Sequence, residues 1–237
     1  MGLRIRSVSA LFLLAGALVF AAFGDDAMRK MIDDKKYEAA IKHGEAVAED
    51  SRTVEVWLML AVAYENVPGD AQAAAKARNA YEGAMRANPS HPGVYLAYGG
   101  FEYKAGNYKA AVGLFQKGYL LGGGAGAAEG IAMASAKLKD WDRARDAAES
   151  AIAINPDALE SHTILSEILF NAKSYGAAAP HLEYVASKKG KEIDTWKKLV
   201  VCYESTKDRD KLSAVDAQII ALDSKDVKSR QRLADYS

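Results

Sequence analysis

The stretch Trp141–Pro156, WDRARDAAESAIAINP, decides the fold. Trp141 is followed three positions on by Ala144, then by Ala148, Ala151, Ile152 and Ile154. That spacing is the signature of one amphipathic helix with small residues along its buried face. Asn155-Pro156 closes it, because the residue before a proline is pushed out of the helical region. Outward from this stretch, the same pattern recurs in step through most of the chain.

Read outward, the helix signals come in pairs. Asp25–Asp34 pairs with Tyr37–Asp50, and Val54–Val67 with Ala71–Asn88 across a Pro68-Gly69-Asp70 break. Gly93–Ala105 pairs with Asn107–Leu121 through a Gly106-Asn107 turn. A glycine cluster, Gly122 to Gly126, leads into a helix beginning near Ala127 that turns at Lys139-Asp140 into the opening stretch. Ala158–Ala172 then pairs with Ser174–Ser187, and Glu192–Thr206 with Asp208–Asp223. Pro180 falls early in its helix, where a missing donor costs less than it does mid-helix. Every connection is short, as antiparallel neighbours require.

The residue opening each second helix is Tyr108, Trp141, Tyr175 and Arg209, at separations of 33, 34 and 34. A fixed period near 34 with two helices per period resembles the tetratricopeptide repeat. The bulky residue that family places early in the first helix falls on Trp57, Tyr95 and Trp196. Its small residues at the helix crossing fall on Ala61, Gly99 and Ala132, and then on Ala40, Ala77, Ala111, Ala144 and Ala178. Those of the second helix's far end are Ala84, Gly118 and Ala151, and the closing prolines are Pro89 and Pro156. The match weakens in the last pair, where Arg209 and Leu212 replace the aromatic and the alanine.

The resemblance implies an all-α, right-handed helical-hairpin solenoid. It divides the chain into a leader at 1–24, a repeat array at 25–223 and a polar tail or capping helix at 224–237. Within the array the repeats fall at 25–51 (partial), 54–89, 92–124, 125–156, 158–190 and 192–223. Elementary packing requires the same stacking, since neither helix of a pair can bury its apolar stripe alone. Small residues at the crossings let bulky neighbours fill the gap.

Residues 1–24 read as a signal peptide. Arg4 and Arg6 form the basic start, Ala10 to Phe23 an uncharged apolar run, and Ala22-Phe23-Gly24 the small-residue cleavage signal before Asp25-Asp26. The run is short of the roughly 20 residues that span a bilayer as a helix. The expectation is an exported, periplasmic protein; a membrane anchor through an uncleaved leader is the alternative. Acids and bases balance at 31 each, with no basic stripe of the kind a nucleic-acid binder carries. The single cysteine, Cys202, excludes an intrachain disulfide and sits on an apolar helical face as an inert thiol.

Catalysis, cofactors and metals find no support in the motifs. His43, His91, His162 and His181 are scattered, and none has a second ligand at metal spacing in sequence. Gly122-Gly123-Gly124-Ala125-Gly126-Ala127 satisfies a loose dinucleotide pattern but lacks the preceding strand, so it reads as a loop between repeats.

The family resemblance implies instead a groove lined by the first helix of each pair. Carried onto this chain, its lining positions are Leu58, Val62 and Glu65; Leu96, Gly100 and Tyr103; Glu129, Met133 and Ala136; Thr163, Glu167 and Phe170; Lys197, Val201 and Glu204. The Lys/Asn/Arg clamp with which some members grip an acidic peptide end is not reproduced. The lining is apolar with several acids, which suits an apolar or basic extended segment. The implied function is an exported adaptor for protein–protein interaction in a cell-envelope complex. The alternatives are a self-assembling scaffold and a module that binds sugar or peptidoglycan.

Overall fold

The computed structural model describes residues 25–236. The expected leader at 1–24 therefore lies outside the described residues. Among the described residues there are thirteen α-helices, one short 3-10 turn and no strand. The chain divides into two compact units, Met1–Gly130 and Ile131–Ser237.

The first unit holds α1 (Asp26–Asp33), α2 (Tyr37–Glu45), α3 (Val54–Asn66), α4 (Ala73–Ala87), α5 (Pro92–Lys104), α6 (Tyr108–Leu120) and the start of α7 (Gly124–Lys137). Its helices pack as antiparallel neighbours, α1 on α2, α3 on α4 and α5 on α6, with α3 also meeting α2 and α5. The caps follow the chemistry of the residues: Asp25 accepts from the amides of Ala27 and Met28, and Thr53 accepts from that of Val56. Pro92 opens α5, where its missing donor costs nothing.

The sequence carries the second helix to Asp50, but α2 stops at Glu45 and a 3-10 turn, Glu49–Ser51, follows. Arg52 explains the early stop. Its Nε donates to the Val47 carbonyl at 3.0 Å and its Nη2 to that of Glu45 at 3.3 Å, satisfying acceptors that a longer helix would use itself. The glycine cluster is also shorter as a loop than its sequence suggests. Only Gly122 and Gly124 take left-handed angles, and α7 begins at Gly124.

Bulky side chains in this unit sit on backbone that carries no side chain. A Cβ on Gly83 would lie 2.5 Å from the Trp57 ring, and one on Gly130 would lie 2.6 Å from Phe115. Phe115, fully buried, also presses against Gly99, where a Cβ would come within 2.8 Å. Trp57, Leu60, Tyr64, Tyr81 and Tyr98 share one core with Ala40, Ala77 and Ala84.

The second unit takes the rest of α7, then α8 (Trp141–Ile154), α9 (Leu159–Asn171), α10 (Tyr175–Lys188), α11 (Ile193–Thr206), α12 (Arg209–Leu222) and α13 (Val227–Tyr236). Each of α8 to α13 packs on the next in turn. Its core joins Ala178, Leu182, Leu199, Tyr203, Leu212, Val215 and Ile219 with Cys202, whose thiol burial pushes up to about 11. Lys139, Lys173 and Lys207 adopt left-handed angles at the turns within hairpins, the place that Lys35 and Gly106 take in the first unit. There the amides of Asp140, Ser174 and Asp208 reach back five residues to Ser135, Leu169 and Tyr203, closing each first helix.

Ala40, Ala77, Ala111, Ala144 and Ala178 are all fully buried, as the helix-crossing assignment requires. Ala144→Leu is therefore expected to destabilise by roughly 1–3 kcal/mol through overpacking. The thermal midpoint should fall by roughly 2–4 °C for each kcal/mol in a chain of this size. A melting curve that overlays the parent would refute the register.

Candidate protein-binding face and its surroundings

Lining residues spaced four and then three apart share one face of a helix. In the first unit that face is carried by α3 and α5. Leu58 is buried, and Val62, Glu65 and Leu96 are half-buried at the surface. Glu65 accepts from the Tyr81 hydroxyl and from Lys104 Nζ at 3.2 Å, so its charge is already answered. Tyr103 turns inward and meets the ring of Tyr108 edge-on, with centroids 5.3 Å apart.

On α7, Glu129 and Met133 are both buried. The sequence pattern gives the direction in which these side chains leave their helix but not how closely the next helix covers them. Leu58, Tyr103, Glu129 and Met133 are thus corrected from lining to interior. The accessible positions of the first unit are Val62, Glu65 and Leu96.

In the second unit the face is carried by α9 and α11. Thr163 donates to the carbonyl of Leu159, and Glu167 pairs with Lys198. Lys198 also lies 5.8 Å from the centre of the Phe170 ring, and Phe170 meets Tyr175 edge-on at 5.4 Å. Val201 is exposed. Lys197 and Glu204 are each about half exposed, and both are engaged by the C-terminal helix: Lys197 with Asp226 at 3.8 Å and Glu204 with Arg232 at 3.6 Å.

The aromatic that closes each hairpin turn explains one exposed side chain. Tyr108 is met by Tyr103 and Tyr175 by Phe170, but Ala136 stands at the corresponding place before Trp141. Trp141 is 45% exposed, next to Leu138, also 45% exposed.

The scattered-histidine reading needs correction. His162 and His181 lie 19 residues apart in sequence, yet the α9–α10 crossing brings their Nδ1 atoms to 2.9 Å. His162 Nε2 is 3.0 Å from the Pro156 carbonyl, which only accepts, so that nitrogen carries the proton. In the neutral tautomer so defined, Nδ1 of His162 is the acceptor and Nδ1 of His181 the donor. Ring centroids 5.0 Å apart place the two nitrogens nearly head to head, the geometry of a hydrogen bond. His162 stacks on Tyr184, whose hydroxyl donates to Asp157 at 2.7 Å. No spacing rule within a single helix reveals such a pair; only the register between the two helices does. Among the described residues, no group of three or more His, Cys, Asp or Glu is placed to hold a metal ion.

The first unit also carries a cleft of about 570 Å³ lined by Glu49, Asp50, Arg52, Trp57, Gly83 and Arg86. Arg52 stacks 4.6 Å above the Trp57 ring and Arg86 reaches Glu49 at 3.6 Å. Its cations and carboxylates balance one another, so it selects no particular charge.

Burial, and then the neighbouring His162, hold the His181 pKa below its ordinary 6.5. A histidine kept neutral in the fold but free to charge when unfolded makes the unfolded chain bind more protons in acid. Stability from His181 is full above the unfolded value of about 6.5 and declines as pH falls below it. The loss in unfolding free energy between pH 7.5 and 5.5, read from urea titrations, is expected to be smaller in His181→Gln than in the parent. Equal losses would refute the assignment.

The tetratricopeptide repeat family profile matches residues 70–128 and 130–191, together just over half of the chain. Among solved structures, PilF of Pseudomonas aeruginosa aligns with a TM-score of 0.67 at 16% identity, covering 96% of this chain and 99% of its own. YrrB, a TPR protein with an unusual peptide-binding site, aligns at 0.59 with 17% identity, covering 85% and 98%. MamA aligns at 0.55 with 21% identity, covering 66% and 92%. At these identities the likeness is one of fold. No curated protein matches the chain in sequence. Paired helices, buried crossing alanines and the profile match agree: the chain belongs to the tetratricopeptide repeat family, whose fold is a scaffold for protein–protein interaction.

Proposed function

We propose that this protein is an exported adaptor that holds an extended apolar or basic segment of another protein within a cell-envelope complex. It acts by holding, without a cofactor and without a reaction of its own. The observation that carries the reading is the chemistry of the accessible lining positions. One unit offers Val62, Leu96 and Glu65 at its surface, and the other offers Phe170, Val201, Glu167 and Glu204. The apolar side chains supply affinity, and a partner's bases supply orientation by sharing these carboxylates with their present cations, Lys104, Lys198 and Arg232.

Peptide binding by YrrB, which shares the fold, agrees with this use of it. The leader at 1–24, with its two arginines and uncharged apolar run, supports export to the periplasm. Among the described residues no helix is long and apolar enough to cross a membrane. In this reading residues 25–223 are the repeat array and 224–237 its polar end.

The test is binding of immobilised protein to synthetic extended peptides of apolar-basic, apolar-acidic and neutral composition. The apolar-basic set should bind at least tenfold more tightly than the apolar-acidic set. Val62→Glu combined with Val201→Glu should remove that binding while circular dichroism stays unchanged. Equal binding of acidic peptides, or full binding by the double variant, would overturn the proposal.

A further inference from the structure

The last hairpin departs from its neighbours in one respect. Where earlier second helices place Tyr81, Phe115, Ala148 and Leu182, α12 places Asp216, and its carboxylate is fully buried. Arg232 of α13 grips it with two bonds, Nε to Oδ2 at 2.8 Å and Nη2 to Oδ1 at 2.5 Å. The same guanidinium reaches Ser229 Oγ at 3.2 Å and lies 3.6 Å from Glu204. At the other end of the helix, Asp226 caps the amide of Ser229 at 2.9 Å and faces Lys197.

Little apolar surface holds α13 in place. Among its residues with described side chains, the buried one is Ser229; Val227 is 64% exposed and Leu233 only half-buried. A helix of 10 residues is marginal by itself and takes its order from what it packs against. Here that support is chiefly charge. Replacing a buried ion pair by apolar residues is often neutral or stabilising, so Asp216 at an apolar slot does not serve stability best. What it does serve is selection of the helix that lies over it. The fork of an arginine meets both carboxylate oxygens, and a lysine cannot.

We propose that the face of α11 and α12 beneath α13 is a docking surface for an amphipathic helix of a partner protein. That helix delivers an arginine to Asp216 and an acidic cap, in the place of Asp226, to Lys197, and α13 is its displaceable resident. The inference goes beyond the groove reading: it needs no extended peptide and stands on contacts among α11, α12 and α13 alone. Charge complementarity fixes the partner's chemistry, with α13 as the template.

The probe is a fluorescent peptide with the sequence of residues 225–237, titrated by anisotropy into full-length protein. Arg232→Ala in the protein loosens the resident helix, so the peptide should bind that variant at least tenfold more tightly than the parent. A peptide carrying lysine at the Arg232 position should lose at least tenfold, as should the protein variant with Asp216→Asn added. An Arg232→Ala protein that stays helical and does not take the peptide overturns the proposal. A doubled mass by light scattering also overturns it, by assigning the surface to a second copy. Should Arg232→Ala fail to fold, hydrogen exchange of the parent decides. Amides of α13 exchanging at least tenfold faster than those of α12 support displacement, and equal protection overturns it.

Discussion

Everything else in the fold depends on how closely two helices can approach when one of them carries no more than a methyl group at the crossing. Phe115 shows the constraint in its sharpest form. It rests between Gly99 and Gly130, and a Cβ on either would come within 2.8 Å of its ring. Trp57 on Gly83 repeats the arrangement, and the row of buried alanines extends it along the chain. Close-packed interiors tolerate neither a gap nor an extra methyl group at such points. Hence the small residues set how near the helices lie, and the large ones are chosen to fill what remains. Helix propensity only supplies the rods that this constraint arranges.

That division explains what was legible in the sequence. The alanine rows and the aromatic opening each second helix depend on period alone, so the pairing of helices and the buried crossings could be read directly. Helix ends depend on single long side chains, and Arg52 closing α2 after Glu45 leaves no periodic trace. Surface depth was less legible. Tyr103 and Phe170 occupy the same place in their hairpins and both meet the aromatic of the following helix, yet one is buried and the other half-buried. The pattern assigns both to one face; the side chains of neighbouring helices decide which of them a partner can touch. The His162–His181 contact was illegible because it spans a helix crossing whose register no single-helix rule contains.

Charges inside the array follow a second logic. Glu102 is buried, yet Arg78 binds it at 2.7 and 3.2 Å and Asn107 donates to it at 2.6 Å. Burial alone raises a carboxyl pKa, but these donors outweigh it and hold the group below its ordinary range. Asp216 with Arg232 is the counterpart in the second unit. Each pair joins a hairpin to a helix outside it, and each is specific in geometry where the apolar seams are specific only in volume. A seam built from alanine and leucine admits more than one neighbour of suitable size; a buried carboxylate admits only a neighbour that brings the right donor.

Placed side by side, the two logics account for where variation enters the repeat. Interior hairpins must accept a neighbour on both sides, and small-residue crossings make that neighbour generic. At the last hairpin the next helix is not another repeat but α13, which buries almost no apolar surface. A generic seam would leave such a helix without a reason to lie in one register, since shifting a polar helix by one turn would cost little. The Asp216 carboxylate removes that freedom, because only one placement of α13 puts a guanidinium over it while Asp226 faces Lys197. Charge thus takes over the task of fixing register at the one end of the array where packing volume is insufficient to do so.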